Sequence, residues 1–134
     1  MIDYKKQGKA NRAKGASFEL QVRKDLVSKG WFVVKFQNNI DLDNSCMVQA
    51  KQKFIKGRGM GLGSGFPDFL IFDKGCIGFI ECKTNGILSK IEKLKMEWLN
   101  GKGFECWVAE KDGTSVEYKK PSKVRRTETR DYIR

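Results

Sequence analysis

The chain contains no histidine, and that absence removes more chemistry than any other feature. Neither a Ser-His-Asp triad nor a Cys-His pair can be assembled. Acid–base work therefore falls to carboxylates, lysine, tyrosine or a metal-bound water. The four cysteines, Cys46, Cys76, Cys82 and Cys106, include no C-x-x-C pair, which disfavours a zinc site of the usual Cys/His kind. Cys82 and Cys106 fall inside apolar strand patterns and read as small buried thiols, consistent with a reducing cytosol. No apolar run approaches the roughly 20 residues of a membrane span. The first six residues, Met1 to Lys6, lack the hydrophobic core of a signal peptide. Acidic residues are the minority charge, 16 against 27 Lys and Arg, leaving +11 and a pI near 9.6. Such a balance favours a polyanionic partner. Nucleic acid comes first and an anionic membrane surface second, the latter disfavoured because no basic amphipathic helix with a broad aromatic face is present. At 134 residues the chain is expected to form one domain with a modest core.

What is present centres on residues 65–83. Two short apolar runs, bounded by Gly or Pro and rich in aromatic and β-branched residues, flank Asp73-Lys74-Gly75. This predicts a β-hairpin with Asp68 at the start of its first strand. Alternation along the second strand puts Glu81 and Lys83 on one face and Ile80 and Cys82 on the other. Antiparallel pairing could bring Asp68 alongside Glu81. Two converging carboxylates in a basic protein suit a hard divalent cation. Equally, Asp68 after Pro67 fits a turn, and Glu81 with Lys83 fits a solvated face.

Around that hairpin the chain is read in order. Residues 1–16 form a mobile basic arm containing Lys14. A helix over residues 17–29 follows, with Phe18, Val22, Leu26 and Val27 inward, Glu19 in its first turn and Gly30 as its stop. Trp31 to Phe36 predicts a strand, and Cys46 to Phe54 is a weaker strand candidate. Residues 57–65 hold five glycines in nine positions, without the Lys-Ser/Thr pair of a phosphate-binding loop. They read either as a plain surface loop or as a flap over DNA, with Lys51 and Arg58 touching phosphates. A second helix spans about Ser89 to Asn100, with Ile91, Leu94, Trp98 and Leu99 inward. Ser89-Lys90-Ile91-Glu92 matches a capping box. Lys90 and Lys93 on this helix are candidate phosphate contacts. Phe104 to Ala109 gives a last strand, inserted beside the hairpin by the helical crossover. Residues 119–134 are a basic tail. The order predicts an α/β fold, a mixed central β-sheet flanked by helices, with residues 17–110 as the core.

The run Gly65-Phe66-Pro67-Asp68-Phe69 with Ile80-Glu81-Cys82-Lys83-Thr84 resembles the Asp…Glu-x-Lys motif of the PD-(D/E)XK nuclease superfamily, in the branch of VRR-NUC domains and archaeal-type Holliday junction resolvases. Lys14 to Glu19 resembles the opening of the resolvase-like members. The resemblance covers roughly residues 14–110 and implies an αβββαβ core. It further implies Mg²⁺- or Mn²⁺-dependent hydrolysis of DNA phosphodiesters, with catalytic residues Glu19, Asp68, Glu81 and Lys83. Asp68, Glu81 and the Cys82 main-chain carbonyl would hold the metal, and Glu19 would reach it through water or complete a second position. Where the family commonly has Gln, this chain has Glu92, which leaves helix capping or a place in the site open. Structure-selective cleavage of junctions, flaps or repair intermediates is the leading expectation. A restriction-type nuclease and a non-catalytic DNA-binding protein are the alternatives. Paired cuts in a junction would need a two-fold homodimer, for which Trp31 and Trp107 are interface or core candidates.

Overall fold

The computed structural model describes residues 4–50, 52–55, 59–62 and 65–122. The expected contacts Lys51 and Arg58 lie outside them, as do residues 123–134 of the basic tail. Helix α1 spans Tyr4–Ser28 and is followed by strand β1, Phe32–Lys35. Two short hairpins come next: β2 (Asn38–Asp41) with β3 (Cys46–Gln49), and β4 (Gln52–Ile55) with β5 (Gly59–Leu62). The expected hairpin is β6 (Phe69–Asp73) and β7 (Cys76–Cys82). Helix α2 (Lys90–Gly101), β8 (Glu105–Asp112) and β9 (Ser115–Lys119) complete the described elements.

Five strands form a mixed sheet in the order β1-β6-β7-β8-β9. Only β7 and β8 run parallel, because α2 carries the chain back to the starting end of the sheet between them. The other three pairings are antiparallel. Each face carries one helix. On one, Phe18, Val22 and Leu26 of α1 bury Phe69, Ile71 and Ile80. On the other, Met96 and Leu99 of α2 pack with Phe79, Cys106 and Val108, joined by Phe36 and Ile40. The result is an α/β fold with a mixed sheet between helices. No helix among the described residues is long and apolar enough to cross a membrane.

Several expectations need correction. The stretch expected as a mobile basic arm is helical from Tyr4 onward: α1 begins there, and its first turns are rich in the strong helix formers Lys, Ala and Gln. Val27 is 56% exposed, one position past the buried stripe of Phe18, Val22 and Leu26. On α2 the buried stripe runs through Leu94, Met96 and Leu99, rotated so that Ile91 is 46% exposed. The segment expected as one strand from Cys46 to Phe54 is divided between two hairpins. Four of the nine residues of the glycine-rich stretch, Gly59–Leu62, form strand β5 instead of loop. The sheet also runs past residue 110, since β8 turns back as β9, whose Val116 and Tyr118 pack on the α1 side. Trp31 and Trp107 are part-buried against that same cluster.

Both helices end alike. Trp31 N–H donates to Leu26 O and Gly30 N–H to Val27 O, with Gly30 at φ +96°. Phe104 and Gly103 repeat the pattern on Leu99 and Asn100. These paired bonds satisfy the carbonyls that a helix end leaves without partners.

Candidate functional site

The register of the β6–β7 hairpin builds the site. Phe69 pairs with Ile80, so one step further along Asp68 stands opposite Glu81 on the same face of the ribbon. Both are buried, at 8% and 6% exposure, and no other charged or polar residue described is. Each carboxylate fixes the other's strand. Asp68 N–H donates to Glu81 Oε1 at 3.1 Å, and Cys82 N–H donates to Asp68 Oδ2 at 2.8 Å. One oxygen of each acid is thus anchored on backbone. The other faces an ammonium, Lys35 Nζ at 3.8 Å from Asp68 Oδ1 and Lys83 Nζ at 3.6 Å from Glu81 Oε2.

Burial first, and the charge of Asp68 second, push the Glu81 carboxyl well above its ordinary range. Near neutral pH Glu81 therefore keeps its proton unless a cation beside the pair compensates its charge. Lys83 is contested in the opposite sense. Burial works against its charge, but the Glu92 hydrogen bond and the charges of Glu81, Glu92 and Asp68 outweigh that, and its pKa is raised. It is therefore an ammonium at neutral pH, suited to neutralising anionic oxygen and not to taking up a proton.

Glu92 does both of the things left open for it. Its Oε1 accepts from Ser89 N–H at 2.8 Å while Ser89 Oγ accepts from Glu92 N–H at 3.2 Å, which closes the capping box. Its Oε2 lies 2.8 Å from Lys83 Nζ. Burial tends to raise Glu92, but Lys83 and the Ser89 bonds win and hold its carboxyl below the usual range. Glu19 lies on the other side of the sheet end, with Lys35 Nζ 3.0 Å from its Oε2. Glu19, Asp68, Glu81 and Lys83 are thus gathered at one end of the sheet, but Lys35 stands between Glu19 and the central pair. Lys35 is not singled out by the sequence, where it is one polar residue near the end of an apolar strand; in the structure it closes β1. The pairing of Lys35 with Phe69 puts it on the α1 side of the sheet, within reach of Glu19 and Asp68.

No family model matches the chain, and no curated protein or solved structure matches it. Among the described residues no group of three or more His, Cys, Asp and Glu side chains is placed to hold a metal ion. Mg²⁺, however, keeps several waters and commonly takes only one or two carboxylates from a protein, with substrate phosphate completing its shell. Asp68 Oδ1 and Glu81 Oε2 are the two carboxylate oxygens of the pair that no backbone N–H holds. The Cys82 thiol does not take part. Burial, then the charges of Asp68, Glu19 and Glu81, push its pKa up, and it packs against the α1-side cluster. Cys82 could contribute only through its main chain. A cleft of about 600 Å³ lies elsewhere, between the second half of α2, the start of β8 and residues 120–122, and none of the acids of the sheet end lines it.

Of the expected phosphate contacts, Lys14 is exposed on α1 and Lys90 is exposed in the first turn of α2. Lys93 is half-buried beside Glu92.

Proposed function

We propose that the protein is a divalent-metal-dependent nuclease hydrolysing DNA phosphodiesters, a structure-selective member of the PD-(D/E)XK superfamily. The observation that carries this reading is the mutual anchoring of Asp68 and Glu81, which leaves one oxygen of each off the backbone, Asp68 Oδ1 facing Lys35 and Glu81 Oε2 facing Lys83. Asp68, Glu81 and the Cys82 carbonyl would hold Mg²⁺ or Mn²⁺. A cation there supplies Lewis-acid polarisation of the phosphoryl oxygen and a water of lowered pKa. Lys83, held charged by Glu92, stabilises the negative charge that grows on the phosphate and orients the attacking water. Asp68 and Glu81 stay in place because backbone N–H groups, not solvent, hold them. The net charge of +11 draws the phosphate backbone in without regard to sequence, which favours recognition of DNA shape over base reading.

The test is a cleavage assay on branched and linear DNAs with Mg²⁺, Mn²⁺ or chelator. Wild type should cut only with metal and prefer branched substrates. Glu81→Gln and Lys83→Ala should each lower the rate by roughly 10²-fold or more. Equal cutting by wild type and both variants would remove the site. A defined fragment pattern on linear DNA would instead favour a sequence-reading enzyme.

A further inference from the structure

We propose that Lys35 is a second phosphate-contacting residue of this site and that Glu19 is its positioning residue, not a metal ligand. The inference rests on the reading of Asp68 and Glu81 as the cation-holding pair.

The two lysines stand in matching relations to that pair. Lys83 is held at 2.8 Å by Glu92 and faces Glu81 at 3.6 Å. Lys35 is held at 3.0 Å by Glu19 and faces Asp68 at 3.8 Å. Each ammonium is fixed by an outer acid and looks onto one central carboxylate, one from each face of the sheet. Lys35 lies over the ring of Phe69, 5.5 Å from its centroid, which limits where its stem can go. The side chains of Lys35 and Lys83 are 33% and 30% exposed, against 12% and 7% for Asp68 and Glu81. Both lysine side chains are therefore more open to an incoming polyanion than the acids between them.

The side chain of Glu19 bonds only Lys35 among the described residues. For it to share a cation with Asp68, that cation would have to lie beside the like charge of Lys35 or expel it. An acid whose only bond is to an ammonium next to the pair does what Glu92 does for Lys83. A phosphodiester has two non-bridging oxygens. With an ammonium on either side of the carboxylate pair, each oxygen can meet one.

The experiment separates this from the underlying reading. Mn²⁺ binding without DNA is measured by calorimetry on wild type, Asp68→Asn, Glu19→Gln and Lys35→Met, and Mn²⁺-dependent cleavage on the same proteins plus Lys35→Arg and the Glu19→Gln/Lys35→Met double variant. Asp68→Asn should lose Mn²⁺, whereas Glu19→Gln and Lys35→Met should bind it at least as tightly as wild type. Lys35→Met should cleave roughly 10²-fold more slowly. Lys35→Arg should recover most of that rate, and the double variant should be no slower than Lys35→Met alone. Loss of Mn²⁺ affinity in Glu19→Gln to the level of Asp68→Asn would make Glu19 a ligand and overturn the proposal. Wild-type cleavage by Lys35→Met, or a double variant in which the two losses multiply, would overturn it as well. Unchanged Mn²⁺ binding in Asp68→Asn would instead defeat the metal-site reading itself, and this proposal with it.

Discussion

Glu92 serves Lys83 and the start of helix α2 with different oxygens of one carboxylate, Oε2 at 2.8 Å from the Lys83 ammonium and Oε1 at 2.8 Å from Ser89 N–H. The orientation of the site lysine is thereby tied to the fold of the helix. Ser89→Ala and Glu92→Ala should separate the two tasks. Each removes half of the capping box and should lower unfolding stability by about 1 kcal/mol. Only Glu92→Ala releases Lys83, so it alone should also slow cleavage. Urea denaturation with parallel rate measurements checks this. Equal rates in the two variants would mean that the contact with Lys83 does nothing for catalysis.

The Glu81 carboxyl gives a pH signature. Its pKa is raised above the ordinary 4.5 by burial first and by Asp68 second. The folded state therefore holds the proton more tightly than the unfolded chain. That contribution is complete below pH 4.5 and is lost progressively as pH rises from there to about 10. In chelator, the melting temperature of wild type minus that of Glu81→Gln should fall steadily from acidic to alkaline pH. The subtraction removes the background of the other charged groups. A flat difference would show that Glu81 is not strained by its neighbour.

The hairpin that carries the site was legible because its information is local. Apolar alternation, the Asp73-Lys74-Gly75 turn and the Glu81–Lys83 spacing all lie within residues 65–83. Pairing then needed no partner distant in sequence. The stop at Gly30 and the Ser89 cap were equally local. What escaped were features with no apolar periodicity. The first three turns of α1 bury almost nothing and show no stripe. Strand β3 is exposed at all four positions, so no alternation marks it. Lys35 escaped for another reason. Its significance arises from Glu19, sixteen residues away, and from Asp68 across the β1–β6 pairing, neither of which a single strand announces.

Gly65 offers a prediction about backbone approach. A Cβ there would lie 2.3 Å from Phe36 O and 2.5 Å from Asn38 O, both main-chain atoms. The neighbouring Phe66 N–H donates to Asn38 O at 2.9 Å, pinning the stretch that leads to Asp68. Gly65→Ala must push these strands apart, at a cost of about 1–3 kcal/mol. Because Asp68 follows three residues later, Mn²⁺ affinity should fall together with the denaturation midpoint. A variant as stable as wild type would contradict the close approach.

Three lysines of α2 should respond differently to salt. Lys90 is exposed and Lys93 half-buried, on either side of Glu92, where a phosphate backbone lying against Lys83 would pass. Lys95 is already engaged, donating to Asn39 Oδ1 at 2.8 Å and lying over the Phe66 ring. Each phosphate contact releases counterions and adds about 0.9 to the slope of log affinity against log salt. Lys90→Ala and Lys93→Ala should therefore each reduce the slope by about one and weaken binding alike on unrelated sequences. Lys95→Ala should lower thermal stability and leave the slope unchanged. Fluorescence anisotropy over a salt series, with Ca²⁺ in place of Mg²⁺ to hold the DNA uncut, reads all three. If the Lys90 and Lys93 slopes match wild type, this end of α2 does not touch the backbone, and the path of the DNA must cross the sheet end on the Lys35 side.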